Sequence, residues 1–478
     1  MSEGPIVPGK PGNAGGGKGP RFGNASDEWG GAEIGVSLQT PERIRTLQRK
    51  LYLKAKGEPS YCFYLLYDKV YRADILHFAY RLCRANGEAP GVDGVRFEDI
   101  EKQGVEAWLA VLAAELGEGR YRPQAVRRVM ILKPDGAGER PLGIPTIRDR
   151  VVQQAAKLVL EPVFEADFEP NAYGYRPKRS ALDAVREVQA SLLRGETHVV
   201  DADLSKYFDT IPHRELMQSV ARRISDRKML HLIKMWLKAP VEETDERGRK
   251  VRTGGRRSQA GTPQGGVASP LLANIYIHRL LKGWKKFGLE ETLGARIINY
   301  ADDLVIVCRS RAGAVAALQR LKGITVKLGL RLNEAKTQLR DGRREQFDFL
   351  GYTFGPMVYR KTGRRYLGVA PSKKRVKRFK QSLRSTLRPG NQRPIEEVVA
   401  EVNRKLEGWA NYFCLGTLNF AYRAVDHYTC DLLRHFLVRR HKVPGRGTHR
   451  FNRPYLYGTL GVVRLLDRRP WQPSHASG

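Results

Sequence analysis

Long apolar runs are missing from this sequence, paired cysteines are missing, and acidic residues are few beside basic ones. No stretch approaches the roughly 18 consecutive apolar residues of a membrane-crossing helix, so an integral membrane protein is not expected. The cysteines Cys62, Cys83, Cys308, Cys414 and Cys430 stand far apart without a C-x-x-C pair. That spacing excludes the common zinc frameworks and suggests no disulfide scaffold. No apolar signal core opens the chain, and the expected location is a reducing cytoplasm (the bacterial cytoplasm or nucleoid). Against 84 Lys and Arg there are 50 Asp and Glu, a formal net charge of +34 over 478 residues. An excess of that size repels itself in a compact chain unless a polyanion takes it up. Nucleic acid fits best, because each neutralised phosphate releases condensed counterions. A membrane surface is the competing partner, but the basic residues lie throughout the chain rather than beside one anchor.

What is present supports a folded chain. The apolar share of 41% is enough for real cores, and the length predicts about three domains. Residues 1–36, rich in Gly, Pro and Ser, are expected to form a disordered tail. A helical pattern runs from Thr40 to Arg84, a turn-rich APGVDGV follows at 89–95, and helix resumes through Leu116. Val126 to Leu132 reads as a strand leading into the hairpin turn KPDGAGE, and Arg150 to Phe164 as a helix. His198 to Leu204 reads as a strand, followed by an amphipathic helix after Pro212. Two apolar strands flank Ala301-Asp302-Asp303, then a helix is expected from Ala312 to Leu328 and a strand near Arg331. Strand, helix, strand, strand, helix, strand is the order of a split βαβ sheet. Three helices are expected beyond Pro371, the first of them very basic, and a basic stretch punctuated by Gly and Pro follows from Pro444.

Chemistry concentrates at the carboxylates. Two adjacent acids in an apolar hairpin, Asp302 and Asp303, repel each other and resist burial. A cation between them removes both penalties, whereas the plain alternative is a β-turn with acids facing water. A strand in HVVDADL places Asp201 and Asp203 on one face and Val200, Ala202 and Leu204 on the other. Pairing beside the hairpin would gather the acids, but local pattern does not choose between Asp201 and Asp203. Transfer of a nucleotidyl group to a 3′-hydroxyl uses two divalent ions about 3.5–4 Å apart. Mg²⁺ suits such a site because it takes few carboxylates and keeps room for water and phosphates.

Tyr300-Ala301-Asp302-Asp303, preceded by DADLSKYFD and GTPQGGVASPLLANIYI, resembles a reverse transcriptase. RPLGIPTIRDRVVQ, AYGYRPKRSALDAV, RLNEAKT and FDFLGYTF follow the same block order and narrow the resemblance to group II intron-encoded reverse transcriptases/maturases, from about Thr40 to Arg440. The resemblance implies an α+β right-hand polymerase with fingers, a palm built on a split βαβ antiparallel sheet, and a helical thumb. Residues 37–190 would hold the N-terminal extension and fingers, and 191–370 the palm interleaved with fingers. Residues 371–443 would be the thumb or maturase domain, and 444–478 a basic C-terminal tail.

It also implies site roles. Asp203, Asp302 and Asp303 are the implied catalytic acids and, with the Leu204 carbonyl, hold two Mg²⁺ ions, for which Mn²⁺ can substitute. Asp201 becomes a polar neighbour. Phe208 is the implied aromatic under the incoming sugar, leaving no room for the 2′-hydroxyl that marks ribose. Lys133, Arg140 and Arg127 would bind the dNTP triphosphate, Arg as a fork and Lys as a point charge. Gln264 would contact the nucleotide sugar. Lys373, Lys374, Arg375, Lys377, Arg378 and Arg176 are the implied nucleic-acid contacts. Six positive charges between Lys373 and Lys380 without an acid make a merely solvated helix face a poor alternative. The implied partners are intron RNA, an RNA template with a DNA primer, target DNA and dNTP, with no membrane. The implied function is RNA-directed DNA synthesis with aid to intron splicing and mobility. A reverse transcriptase domesticated for repair or phage defence, or a splicing cofactor with a vestigial polymerase site, are the alternatives. No Cys/His endonuclease pattern follows Arg440.

Overall fold

The computed structural model describes residues 38–87, 89–132, 138–245, 247, 249–359 and 362–468. The expected tail at 1–36, the turn residues 133–137 with Lys133, and the last ten residues lie outside the described residues. In chain order the strands are β1 (Val126–Leu132), β2 (Glu139–Ile144), β3 (His198–Asp203), β4 (Pro240–Thr244), β5 (Lys250–Gly254), β6 (Ala295–Tyr300), β7 (Asp303–Cys308), β8 (Gln338–Asp341), β9 (Phe347–Phe349), β10 (Tyr352–Val358) and β11 (Arg365–Pro371). They build three sheets, ordered β2-β1-β4-β5, β6-β7-β3-β8 and β11-β10-β9.

The central sheet, β6-β7-β3-β8, is antiparallel throughout. Its helices His213–Ala221 and Arg311–Lys327 fall between strands in the order the apolar pattern predicts. The strands are rich in Val and Ile, which pack well on a pleated surface, and both faces are buried. Val200, Ala202, Ile297, Leu304 and Ile306 enter one core with the N-terminal helices and the helix Ile147–Glu165. Val199, Ile298, Val305 and Val307 enter a second core with the C-terminal helices. The acids of β3 therefore share the face of the second core.

One strand departs from expectation. Near Arg331 there is only an isolated bridge, Leu204 to Leu332, and the fourth strand forms instead at β8. The cause is a turn: Lys336 and Thr337 both donate backbone N–H bonds to the Asn333 carbonyl, which ends the extended run. β4 and β5 were not anticipated. They attach to β1 through a two-residue parallel register, and the residues of β5 are exposed, so no apolar alternation marks it.

The C-terminal helices Lys373–Thr386, Ile395–Tyr412 and Asn419–Arg440 match the predicted pattern. Ser372 caps the first by accepting from the Arg375 N–H. Its apolar side turns Phe379 and Leu383 inward, and Phe379 stacks on Trp409 at 5.0 Å. The expected tail from Pro444 is corrected as far as Arg468. Phe451, Leu456, Val462 and Leu465 are buried in the second core. Asp426 accepts the backbone N–H of Leu465 and Leu466 at 2.9 and 3.0 Å, and Asn403 accepts that of Val463 at 2.8 Å. The widely spaced apolar residues carried this segment inward despite its basic composition.

Candidate active site

The hairpin β6–β7 turns through Ala301 and Asp302. Ala301 takes a left-handed φ of 58°, uncommon for a residue with a Cβ. Two contacts hold it there. The Asn299 amide donates to the Ala301 carbonyl at 2.8 Å, and Gly174 presses so close that a Cβ on it would lie 2.5 Å from the Ala301 nitrogen. Only glycine fits that approach.

Register distinguishes the two acids that local pattern left equivalent. β3 pairs β7 with Asp203 opposite Asp303 and Asp201 opposite Val305, and the Leu204 N–H donates to the Asp302 carbonyl at 3.2 Å. Asp203, Asp302 and Asp303 thus meet at one edge, while Asp201 lies a strand step away. Like charges directly opposed on a sheet repel, and burial adds to this. Burial first, then the charges of Asp302, Asp203 and Asp201, push the Asp303 carboxyl up to about 7. Asp302 is raised as well, chiefly by burial. Asp201 is pushed up to about 6 by burial, with Arg340 opposing the shift.

Asp203 is held by residues that the sequence reading did not single out. Asn333 donates its amide to an Asp203 carboxylate oxygen at 3.2 Å and its backbone N–H to the Asp203 carbonyl at 2.8 Å. The Lys336 ammonium reaches the same oxygen at 3.1 Å. Both belong to RLNEAKT, where an amide and a cation three residues apart at a strand end were the available signal. Among the described residues no three acidic, His or Cys side chains already form a closed cation cage. An open set of opposed carboxylates, once ionised, is the donor chemistry that a hard divalent ion with retained water would use.

Of the expected nucleotide contacts among the described residues, Arg140, Phe208 and Gln264 lie toward this edge. β1 and β2 pair with Arg127 opposite Ile144 and Arg140 opposite Ile131, so the two arginines share one face of the hairpin. They stand four residues apart, about 13 Å along the strand. Arg140 lies within electrostatic reach of Asp302 and Tyr175. The turn carrying Gln264 docks on β2, its carbonyl accepting the Gly143 N–H at 2.5 Å. The Phe208 carbonyl accepts the Thr262 N–H at 2.7 Å, and the Phe208 ring, half-buried, packs on the first core. Phe208, Gln264, Arg140 and the three acids are therefore brought together.

Arg176 is not brought to a nucleic-acid surface, which corrects the expectation for it. Its side chain is 4% exposed and faces Glu165. Its Nε and Nη2 donate to that carboxylate, and its Nη1 to the carbonyls of Glu169 and Ala172 at 2.6 and 2.8 Å. Nη1 thus holds the loop that ends at Gly174, while Nε and Nη2 tie it to the end of the helix Ile147–Glu165. Arg176→Ala leaves Glu165 without its partner, so a loss of about 3–5 kcal/mol is expected. Urea unfolding measures it, and a midpoint equal to wild type would contradict this structural role. Of the remaining basic set, Lys373, Lys374 and Lys377 face solvent, and Arg375 and Arg378 are half-buried.

Residues 131–354 match the family described as reverse transcriptase (RNA-dependent DNA polymerase). Residues 376–456 match the group II intron, maturase-specific domain. The chain is 36% identical over 347 residues to Protein YkfC of Escherichia coli (strain K12), covering 65% of this chain and 87% of that protein. It is also 36% identical over 220 residues to the group II intron-encoded protein LtrA of Lactococcus lactis subsp. cremoris, but there it spans 46% of this chain and only 35% of that protein. A putative COX1/OXI3 intron 1 protein of Saccharomyces cerevisiae is 28% identical over 329 residues, 58% of this chain and 38% of that protein.

Proposed function

The chain belongs to the family of group II intron-encoded reverse transcriptases/maturases, and from that premise we propose that it copies RNA into DNA and binds intron RNA to aid splicing and mobility. The observation that carries the reading is the meeting of Asp203, Asp302 and Asp303 at one sheet edge, with Arg140, Phe208 and Gln264 around it.

In this reading the sheet β2-β1-β4-β5 belongs to the fingers, the central sheet to the palm, and the three C-terminal helices to the thumb. Asp203, Asp302 and Asp303, with the Leu204 carbonyl, would hold two Mg²⁺ ions, or Mn²⁺ in their place. When bound, such ions stabilise developing phosphate charge and activate the primer 3′-hydroxyl. Arg140 and Arg127, joined by Lys133, hold the triphosphate through forked and point-charge contacts. Phe208 closes the space beside the sugar C2′, and Gln264 contacts the sugar from the opposite turn. Asn333 and Lys336 orient Asp203. The substrates are dNTP and an RNA template with a DNA primer, and target DNA is the acceptor. Among the described residues no helix is long and apolar enough to cross a membrane.

Primer extension tests the reading directly. Purified protein with Mg²⁺ and dNTPs should lengthen a DNA primer on an RNA template; inert protein under these conditions would end the proposal. The basic helix Lys373–Thr386 is the proposed RNA-binding face. Each phosphate contact contributes about 0.7–0.9 to the salt slope of binding. Replacing Lys373, Lys374 and Lys377 together by Gln should flatten the log K against log salt plot by about 2. An unchanged slope would remove this helix from the RNA interface.

A further inference from the structure

A second aromatic ring lies against Phe208, and nothing in the mechanism above uses it. Tyr175 meets Phe208 edge-on, with ring centroids 6.2 Å apart and planes at 80°. On its other side it lies 6.5 Å from the Tyr300 ring, tilted at 35°. Its hydroxyl end is within electrostatic reach of Asp302, Asp303 and Arg140, so the ring stands on the carboxylate side of the sheet. It bridges the hairpin β6–β7 and the short helix Tyr207–Thr210 that carries Phe208.

The backbone places Tyr175 there by force. Its φ is 56°, a left-handed value that is out of keeping with a bulky side chain. Such a conformation persists only where the surroundings over-determine it, and here three contacts on the preceding residues do so. Ala172 bridges to Asn299, the Tyr173 N–H donating to the Asn299 carbonyl at 2.9 Å and the Asn299 N–H to the Asn171 carbonyl at 3.0 Å. The Asn274 amide donates to the Gly174 carbonyl at 2.8 Å. Gly174 itself is wedged against Ala301. The loop is thus riveted to the hairpin that presents Asp302 and Asp303, and Tyr175 projects from the last rivet.

Phe208 needs an external support. The helix bearing it is four residues long, too short to fix a side-chain direction through its own hydrogen bonds. Tyr207 backs Phe208 from the buried side, at 5.8 Å between centroids. Tyr175 is the second aromatic ring in contact with Phe208, at 6.2 Å between centroids.

We infer that Tyr175 is a positioning residue that holds the Phe208 ring against the sugar space and thereby sets the preference for deoxyribonucleotides over ribonucleotides. The inference rests on the reading of Phe208 as the sugar gate. Tyr175 acts through its ring edge and not through its hydroxyl, and it couples the gate to the catalytic hairpin.

Single-nucleotide insertion of dCTP and of CTP opposite a template G tests this, as the ratio of the two kcat/KM values. Tyr175→Ala should lower the ratio about 3- to 10-fold, the worth of one edge-on aromatic pair, with dCTP KM rising more than its kcat falls. Tyr175→Phe should keep the wild-type ratio. In a Phe208→Ala background, Tyr175→Ala should change the ratio no further. An unchanged ratio in Tyr175→Ala beside a changed one in Phe208→Ala would overturn this inference alone. So would effects of the two substitutions that simply multiply. An unchanged ratio in Phe208→Ala would overturn the gate itself and this inference with it. If Tyr175→Ala does not fold by thermal melting, Tyr175→Leu fills the volume without a ring and carries the same outcomes.

Discussion

Asp303→Asn protein is expected to lose polymerisation while folding at least as well as wild type. Removing a metal-holding carboxylate forfeits several kcal/mol of charge stabilisation in the transition state, which at about 1.4 kcal/mol per decade means a rate at least about a thousandfold lower. The same substitution removes a buried charge that opposes Asp203 across the strand pair, so metal-free stability should hold or rise. The pH dependence has a definite sign. The folded Asp303 carboxyl is pushed up to about 7, above its ordinary value near 3.9. Its stabilising protonated form is present in full below the ordinary value and is lost as pH rises through about 7. Metal-free wild type should therefore melt lower at pH 8 than at pH 5.5, and Asp303→Asn should flatten that difference. Binding of Mg²⁺ should weaken below about 7, because the Asp303 proton must leave first. Primer extension and thermal melting at the two pH values check all of this. An Asp303→Asn enzyme that still extends primers would remove Asp303 from the metal site.

Phe208→Ala is expected to admit ribonucleotides. Fitting a 2′-hydroxyl against a packed ring is overpacking, which costs about 1–3 kcal/mol, so deleting the ring should lower discrimination about 10- to 100-fold. Insertion of dCTP should be affected far less, since the deoxyribose does not press on the ring. The ring also packs on the first core, so some loss of melting temperature should accompany the change. Phe208→Tyr, which keeps the ring, should retain most of the selectivity. A Phe208→Ala enzyme that rejects CTP as wild type does would place the sugar gate elsewhere.

Both expectations began as local patterns of different legibility. The strands around Ala301-Asp302-Asp303, the helices Ile147–Glu165 and Asn419–Arg440, and the order of the central sheet could be read because apolar spacing is a one-dimensional signal. The basic charge pointed to nucleic acid for the same reason: it is a sum over residues and needs no fold. The block resemblance named the acids and Phe208 without saying how they meet.

Other features were not legible along the chain. Arg176 reads as one more basic residue in a basic protein, yet it is buried against Glu165 from an adjoining helix. Asn333 and Lys336 read as a polar turn, and their hold on Asp203 crosses more than a hundred residues of sequence. The segment 451–465 reads as tail because its apolar residues are sparse, yet Asp426, Asn403 and Arg434 on the preceding helices clasp it.

By itself, then, the sequence made legible three of the four strands of the central sheet, the C-terminal helices and a basic character suited to a polyanion. Tertiary structure alone decided that Asp203 and not Asp201 faces Asp303, that Arg176 is a scaffold, and that Tyr175 stands beside Phe208. The physical reason is long-range pairing: Asp201 and Asp203 share one face of β3, so alternation does not tell them apart and only the register with β7 sets which lies opposite Asp303. Only long-range burial of both sheet faces fixes that register.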